Sequence, residues 1–215
     1  LNKIILVLLL LLGTLAAVFS ASVHLNLDNH IFKKNKNKFP LKSVHIVDSE
    51  LKEGDIILRR GKSLVSELLR RSSLHDRTFS HVGIIFLENG RWKVMHAIGG
   101  EGAIRDGVVS DHLTQFCSST ETDTVAVFRI NPHEITGSAI VKAAQKLQSN
   151  CTGFDIDFSL TTDDKLYCTE FVMKAVEVAS EQHISLPLSY VSRVKYISCE
   201  NIYSNQYVQQ IFPRR

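Results

Sequence analysis

The stretch SHVGIIFLENGRWKVMHAI, residues 80–98, decides the architecture. Two runs rich in β-branched and aromatic residues flank Asn89-Gly90, the dipeptide best suited to a two-residue hairpin turn with both residues at positive φ. With the turn placed there, Glu88 faces Arg91, Gly83 faces His96 and His81 faces Ile98. Side chains alternate along a strand, so His81, Gly83, Val94, His96 and Ile98 share one face. His81 and His96 are then diagonal neighbours, roughly 7–8 Å apart at Cα, a gap that two imidazoles can close. Gly83 leaves the space beside them free. A slip of one residue in either strand would put the two histidines on opposite faces.

Working outward, GDIILRR (54–60) reads as a strand and residues 62–71 as a helix with Leu64, Val65, Leu68 and Leu69 on one side. Residues 103–109 suggest a further strand, 110–116 a short helix behind a Ser110 cap, and 124–130 (TVAVFRI) a strand. Asn131, Pro132 and Glu134 carry helix-start signals, as N-cap, first helical residue and capping-box partner, for a helix ending near Ser149. Residues 150–166 read as loop. Residues 168–179 then form a helix whose apolar face is Phe171, Val172, Ala175, Val176 and Ala179, and 199–204 give a last helical turn before the apolar stretch 207–212. Hairpins interspersed with helices predict an antiparallel sheet packed by helices, the α+β class. The glycines of GGEG (99–102) lack the strand-to-helix setting of a dinucleotide loop, so no nucleotide cofactor is expected.

The 215 residues are 44% hydrophobic and 22% charged, which excludes collagen-like and wholly disordered chains and fits one ordinary domain. The net charge of +3 comes from residues 1–40, where Lys3, Lys33, Lys34, Lys36 and Lys38 face one acid, Asp28. Residues 41–215 are nearly neutral, and no basic stripe supports nucleic-acid binding. Residues 4–19 are apolar apart from Gly13 and Thr14, giving a signal peptide or membrane anchor over 1–20. Residues 21–40 read as a basic tether, and the domain occupies 41–215. An exported or membrane-anchored protein, periplasmic or otherwise extracytoplasmic, is therefore expected. Four cysteines, Cys117, Cys151, Cys168 and Cys199, show no C-x-x-C spacing. No thiolate metal site is expected, and Cys117, Cys151 and Cys199 are assigned to the core or to a disulfide. His75, Asp76, His81 and His96 have no metal-ligand spacing either.

Cys168 stands apart because it opens an apolar-faced helix, where the dipole and free amides favour a thiolate. Together with GDIILRRG (54–61), FSHVGIIF (79–86), VMHA (94–97) and FDIDFSLTTDDKLYCTEFV (154–172), it makes the chain resemble the YiiX-type permuted papain-like amidases. These are circularly permuted relatives of NlpC-type cell-wall endopeptidases and of lecithin retinol acyltransferase. The likeness spans about residues 50–180, with a weaker match at YISCENIYSNQYVQQIF (196–212). It implies a permuted papain-like fold with a small barrel-like sheet, His81 as base and Cys168 as nucleophile. Close relatives carry Glu at the third, orienting position, where this chain has His96, as the acyltransferase branch does.

The implied chemistry is attack of a Cys168 thiolate on an acyl carbonyl, with His81 moving the proton, His96 fixing its tautomer and a thioester intermediate. The N–H of Cys168 is the expected oxyanion donor, with Tyr167, Glu170 and Asp155 as candidates to line that hole or the substrate site. Asp55 is assigned to a turn or strand-edge hydrogen bond. An amidase or endopeptidase acting on cell-wall peptides is the leading expectation. A membrane-tethered lipid deacylase, thioesterase or acyltransferase is the alternative, and a non-catalytic binding module with a degenerate site is the third reading. The partner is a peptide or acyl substrate, from peptidoglycan or lipid, and no cofactor is implied.

Overall fold

The computed structural model describes residues 48–99, 103–131, 133–191 and 194–213. The expected signal or anchor and the basic tether fall outside these residues, as does Pro132. Asn89 (φ 51°) and Gly90 (φ 72°) form the turn expected of them. On either side, β2 (His81–Glu88) and β3 (Arg91–Ile98) pair from Glu88↔Arg91 to Ile84↔Met95, the register read from the sequence. β1 (Ile56–Gly61) lies antiparallel on the other side of β2, with Arg59 opposite His81. Adding β4 (Gly107–His112), β5 (Thr122–Ile130) and β8 (Val208–Phe212) gives one antiparallel sheet in the order β4-β3-β2-β1-β5-β8. Among the described residues no ladder joins its outer strands β4 and β8, so the sheet is open where a small barrel-like one was expected. A separate short hairpin, β6 (Ser189–Val191) with β7 (Val194–Tyr196), stands apart from it.

Five helices are described: α1 (Leu64–Arg70), α2 (Leu113–Phe116), α3 (Gly137–Asn150), α4 (Cys168–Ala179) and α5 (Cys199–Tyr203). α4 packs against β2, β3 and α3, burying Phe171, Val172, Ala175 and Val176. The central strands are covered on both faces, which is why VGIIF reads as a continuous apolar run. One face holds the cluster Ile57, Ile85, Val94, Leu113, Phe116, Val125 and Val127.

Two boundaries differ from the sequence reading. α3 starts at Gly137 behind Thr136, whose hydroxyl accepts the Ala139 N–H at 3.3 Å, and not at Asn131. Asn131 is tied to the last strand through its own N–H, bonded to the Tyr207 carbonyl, and closes a separate turn onto Glu134 and Ile135. Gly137 sits so near Gly54 (φ 80°) that a Cβ on either would overlap the other segment, and the helix begins at that close approach. Ser110 is likewise a strand residue opposite Met95 and caps no helix, because β4 stays zipped to β3 as far as Lys93↔His112.

Asp55 anchors the start of β1. It is fully buried and takes both Nε (2.6 Å) and Nη2 (2.8 Å) of Arg129 on β5, with a further bond from the Lys52 N–H at 2.8 Å. Its assignment to a turn and strand-edge bond agrees with this geometry. Asp55→Ala removes the carboxylate from a half-buried Arg129 guanidinium and leaves the Lys52 N–H without its acceptor; it is expected to cost about 1–3 kcal/mol, seen as a lower urea midpoint at unchanged m-value, and an unchanged midpoint would contradict it.

Candidate active site

The face of the sheet that carries Arg59, His81 and His96 builds a line of polar groups across four strands. His81 Nε2 lies 2.8 Å from His96 Nδ1, the rings crossing at 83°. His96 Nε2 lies 3.0 Å from Asp111 Oδ2 on β4, and Arg105 reaches the other oxygen, Asp111 Oδ1, at 2.8 Å. Asp111 is opposite Val94, so it shares the His96 face and stands diagonal to it, as His96 stands to His81. Phe116 from α2 backs both imidazoles, at centroid distances of 5.6 Å to His81 and 5.1 Å to His96. The Arg59 guanidinium lies 4.6 Å from the Phe116 centroid and donates to its carbonyl at 2.9 Å.

This chain of contacts fixes the protons. The hydrogen bond from His96 holds the Asp111 carboxyl well below the usual range, so Asp111 is an anion that can only accept. His96 therefore carries its proton on Nε2 and presents a bare Nδ1, and His81 donates Nε2–H to it. The lone pair of His81 is left on Nδ1. Burial lowers both imidazoles, His81 well below its usual value with help from His96 and Arg59, so the pair is neutral at pH 7.

Cys168 is the first residue of α4 and is buried. The backbone N–H groups of Val82, next to His81, and of Thr169 and Cys168 favour its thiolate, as does the Arg59 charge, but burial outweighs them and pushes the thiol up to about 11. The expected low-pKa thiolate is thus corrected to a resting thiol, since desolvation exceeds what a helix start and three amides return. All four cysteines are free thiols, so the structure forms none of the disulfides considered for Cys117, Cys151 and Cys199.

Tyr167 lines the pocket beside Cys168, its hydroxyl accepting the Ile197 N–H at 3.1 Å. Asp155 and Glu170 are engaged within their own segments. Glu170, fully buried, accepts the Tyr167 N–H at 3.3 Å and pairs with Lys174 at 3.1 Å, which secures the start of α4. Asp155 accepts the N–H groups of Asp157 (2.9 Å) and Ser159 (2.8 Å) and so shapes its own loop. Asp111, Arg59 and Phe116 were not foreseen. For Asp111 the usable signal was parity with His96 across a third strand.

Residues 50–187 match a family described as "Permuted papain-like amidase enzyme, YaeF/YiiX, C92 family". Among solved structures, the chain is similar to the metalloprotein yiiX from Escherichia coli O157:H7, with a TM-score of 0.59 and 17% identity over 75% of this chain and 96% of that one. At that identity the likeness concerns the fold. No curated protein matches the chain.

Proposed function

Because the chain belongs to the permuted papain-like amidases of the YaeF/YiiX, C92 family, we propose that it is a cysteine hydrolase cleaving an acyl–nitrogen or acyl–oxygen bond through a thioester on Cys168. The observation that carries this reading is the relay Asp111–His96–His81, which leaves His81 with a bare Nδ1 on the residue adjoining Val82, whose N–H serves the Cys168 sulfur. His81 Nδ1 takes the thiol proton as Sγ attacks the carbonyl carbon. Since thiol and imidazole are both neutral at rest, proton transfer accompanies attack and does not precede it. The imidazolium that forms is stabilised through His96 by the Asp111 carboxylate, then protonates the leaving group. The Cys168 N–H at the helix start faces the developing oxyanion. Water then repeats the sequence on the thioester and restores the thiol.

The similar yiiX protein is described as a metalloprotein. The polar line here does not suit a resident cation: both nitrogens of His96 and both oxygens of Asp111 are already engaged, Asp111 with a guanidinium. Among the described residues no group of three His, Cys, Asp or Glu side chains is arranged to hold one.

A cell-wall peptide is the substrate suggested by the amidase resemblance, and a lipid acyl donor is its rival. The exported or membrane-anchored setting rests on the apolar run 4–19 and is tested by fractionating cells that express the full chain. The chemical reading is tested by exposing the full chain to p-nitrophenyl acetate, quenching in acid and mapping peptides by mass spectrometry. An acetyl adduct on Cys168, absent from Cys117, Cys151 and Cys199, is expected. Cys168→Ser should lower turnover at least about 10³-fold; a variant with undiminished function would point to the degenerate binding module instead.

A further inference from the structure

Cys199 is a buried nucleophilic group that the hydrolytic mechanism leaves unused. It opens α5 as Cys168 opens α4, the two helices pack together, and each cysteine is 6% exposed. Both are free thiols, and both line one pocket of about 540 Å³, ample for a molecule the size of a peroxide. Cys117 and Cys151 lie outside that lining, and the Cys151 thiol donates to the Gly153 carbonyl at 3.2 Å.

Hydrogen bonds on either side of each sulfur fix the approach of the two helix starts. Tyr167 and Thr169, the sequence neighbours of Cys168, both reach Ile197: the Tyr167 hydroxyl accepts the Ile197 N–H at 3.1 Å and the Thr169 hydroxyl donates to the Ile197 carbonyl at 2.7 Å. Cys199 follows two residues later, behind Ser198, whose N–H and hydroxyl both donate to the Asn201 side chain at 2.8 Å. Beyond it the Glu200 carboxylate accepts the N–H groups of Leu74, His75 and Asp76 at 3.0, 3.0 and 3.1 Å. Neither helix start can leave the other without breaking this network. The two sulfurs also sense each other's charge: burial first, and a negative Cys168 second, hold the Cys199 thiol well above its usual range. A deprotonated Cys168 thus keeps its neighbour protonated, and only Cys168 has the His81 lone pair at its service.

We propose that Cys199 is a resolving thiol, which captures a peroxide-oxidised Cys168 in a reversible Cys168–Cys199 disulfide. The proposal rests on the reading of Cys168 as the nucleophile served by His81, and the oxidant is hydrogen peroxide or an alkyl hydroperoxide. Cys168 Sγ attacks the terminal peroxide oxygen while His81 Nδ1 takes the thiol proton. The S–O bond forms, the O–O bond breaks, and the proton passes to the departing oxygen, which leaves as water or an alcohol. The product is a sulfenic acid on Cys168. Cys199 Sγ then attacks that sulfur; the S–S bond forms, the S–O bond breaks, and the hydroxyl leaves as water with the Cys199 proton. The two thiols together lose a pair of electrons, which reduces one peroxide. The cross-link withdraws the nucleophile from turnover while sparing it the irreversible sulfinic state, and a dithiol reverses it by exchange.

The test treats the full chain with a slight excess of hydrogen peroxide, quenches it in acid, alkylates it and maps the unreduced peptides by mass spectrometry. A peptide pair joined through Cys168 and Cys199 is expected. Hydrolysis of p-nitrophenyl acetate should fall at least about tenfold and return on addition of dithiothreitol. In Cys199→Ser the same treatment should leave a Cys168 sulfenic acid that dimedone labels. A second addition of peroxide should carry it to the sulfinic acid, after which dithiothreitol restores less than about a tenth of that variant's own starting rate. Should the variant not fold, the wild-type peptide map decides. Cys168 left unmodified, or recovered as sulfinic acid with Cys199 unlinked, overturns the proposal, as does a cross-link to Cys117 or Cys151 instead. Full recovery of Cys199→Ser after the second addition overturns it too. In each of these cases an acetyl adduct on Cys168 of the untreated protein leaves the hydrolase standing. The Cys168–Cys199 cross-link without any such adduct keeps the resolving role and removes the hydrolase.

Discussion

His81→Ala is expected to lower kcat/KM for any acyl donor by about 10³-fold, within the 10²- to 10⁴-fold range of a positioned general base. The expectation comes from the protonation pattern. With Asp111 anionic and His96 Nε2–H directed at it, the lone pair of His81 Nδ1 is the single basic site the relay leaves open. If the proposed mechanism holds, added imidazole should recover part of the lost rate, because it supplies the proton acceptor that the variant lacks. Failure of rescue together with a near-normal kcat would show that His81 is structural. The pH dependence separates this mechanism from a preformed ion pair. Burial keeps His81 neutral to well below pH 6.5 and pushes the Cys168 thiol up to about 11. Alkylation of Cys168 by iodoacetamide should therefore climb steadily from pH 7 to 10, without the plateau below neutral pH that a thiolate–imidazolium pair gives. Turnover should fall only at pH well under 6.5, where His81 takes up a proton and can no longer accept one.

Much of the arrangement was legible because hairpins obey parity. Asn89-Gly90 fixed the register of β2 and β3, and register put His81 and His96 on one face with Gly83 between them. The third strand was harder to read. Residues 110–116 have a serine followed by mixed polar and apolar residues, which local preference reads as a capped helix. Pairing with β3 overrides that preference, and the competing ladder runs to His112. The misplaced boundary hid Asp111, since a residue read as helical has no strand parity to compare with His96. Sequence also overstated the acidity of Cys168. A helix start is a local feature, whereas the burial that dominates the thiol is set by tertiary packing, which no local pattern shows. The same holds for the pocket. Its walls join α1, the loop near Phe158, α4 and the β6–β7 hairpin, and no spacing rule connects such segments.

Gly83→Ala is expected to cost about 10²-fold in kcat while the protein remains folded. A Cβ at this position would stand 2.4 Å from Val94 Cγ1, 2.7 Å from the Met95 carbonyl oxygen and 3.1 Å from His96 Cβ. All three neighbours belong to β3, which is zipped on its far side to β4, and His96 carries the orienting imidazole, so β3 has to move as a unit. Gly83 is itself held opposite Ile57 on β1, which prevents β2 from yielding instead. Overpacking of this kind costs about 1–3 kcal/mol of stability. The larger effect falls on geometry: a displacement near 1 Å carries the 2.8 Å bond between His81 and His96 beyond hydrogen-bonding range, and misplacement of that size costs about 10²-fold. A loss of stability alone would leave kcat intact in the folded fraction, so the discriminating readout is spectroscopic. The downfield imidazole N–H proton of His81, held between two ring nitrogens, should vanish from the variant's proton NMR spectrum. Gly90→Ala supplies the control, because an added Cβ there meets nothing within 4 Å and the turn residue touches neither histidine. It should cost about 1 kcal/mol through its positive φ and keep both the resonance and the rate. Retention of the resonance in Gly83→Ala with normal kcat would mean that β3 accommodates the methyl without moving His96, and that Gly83 serves packing only.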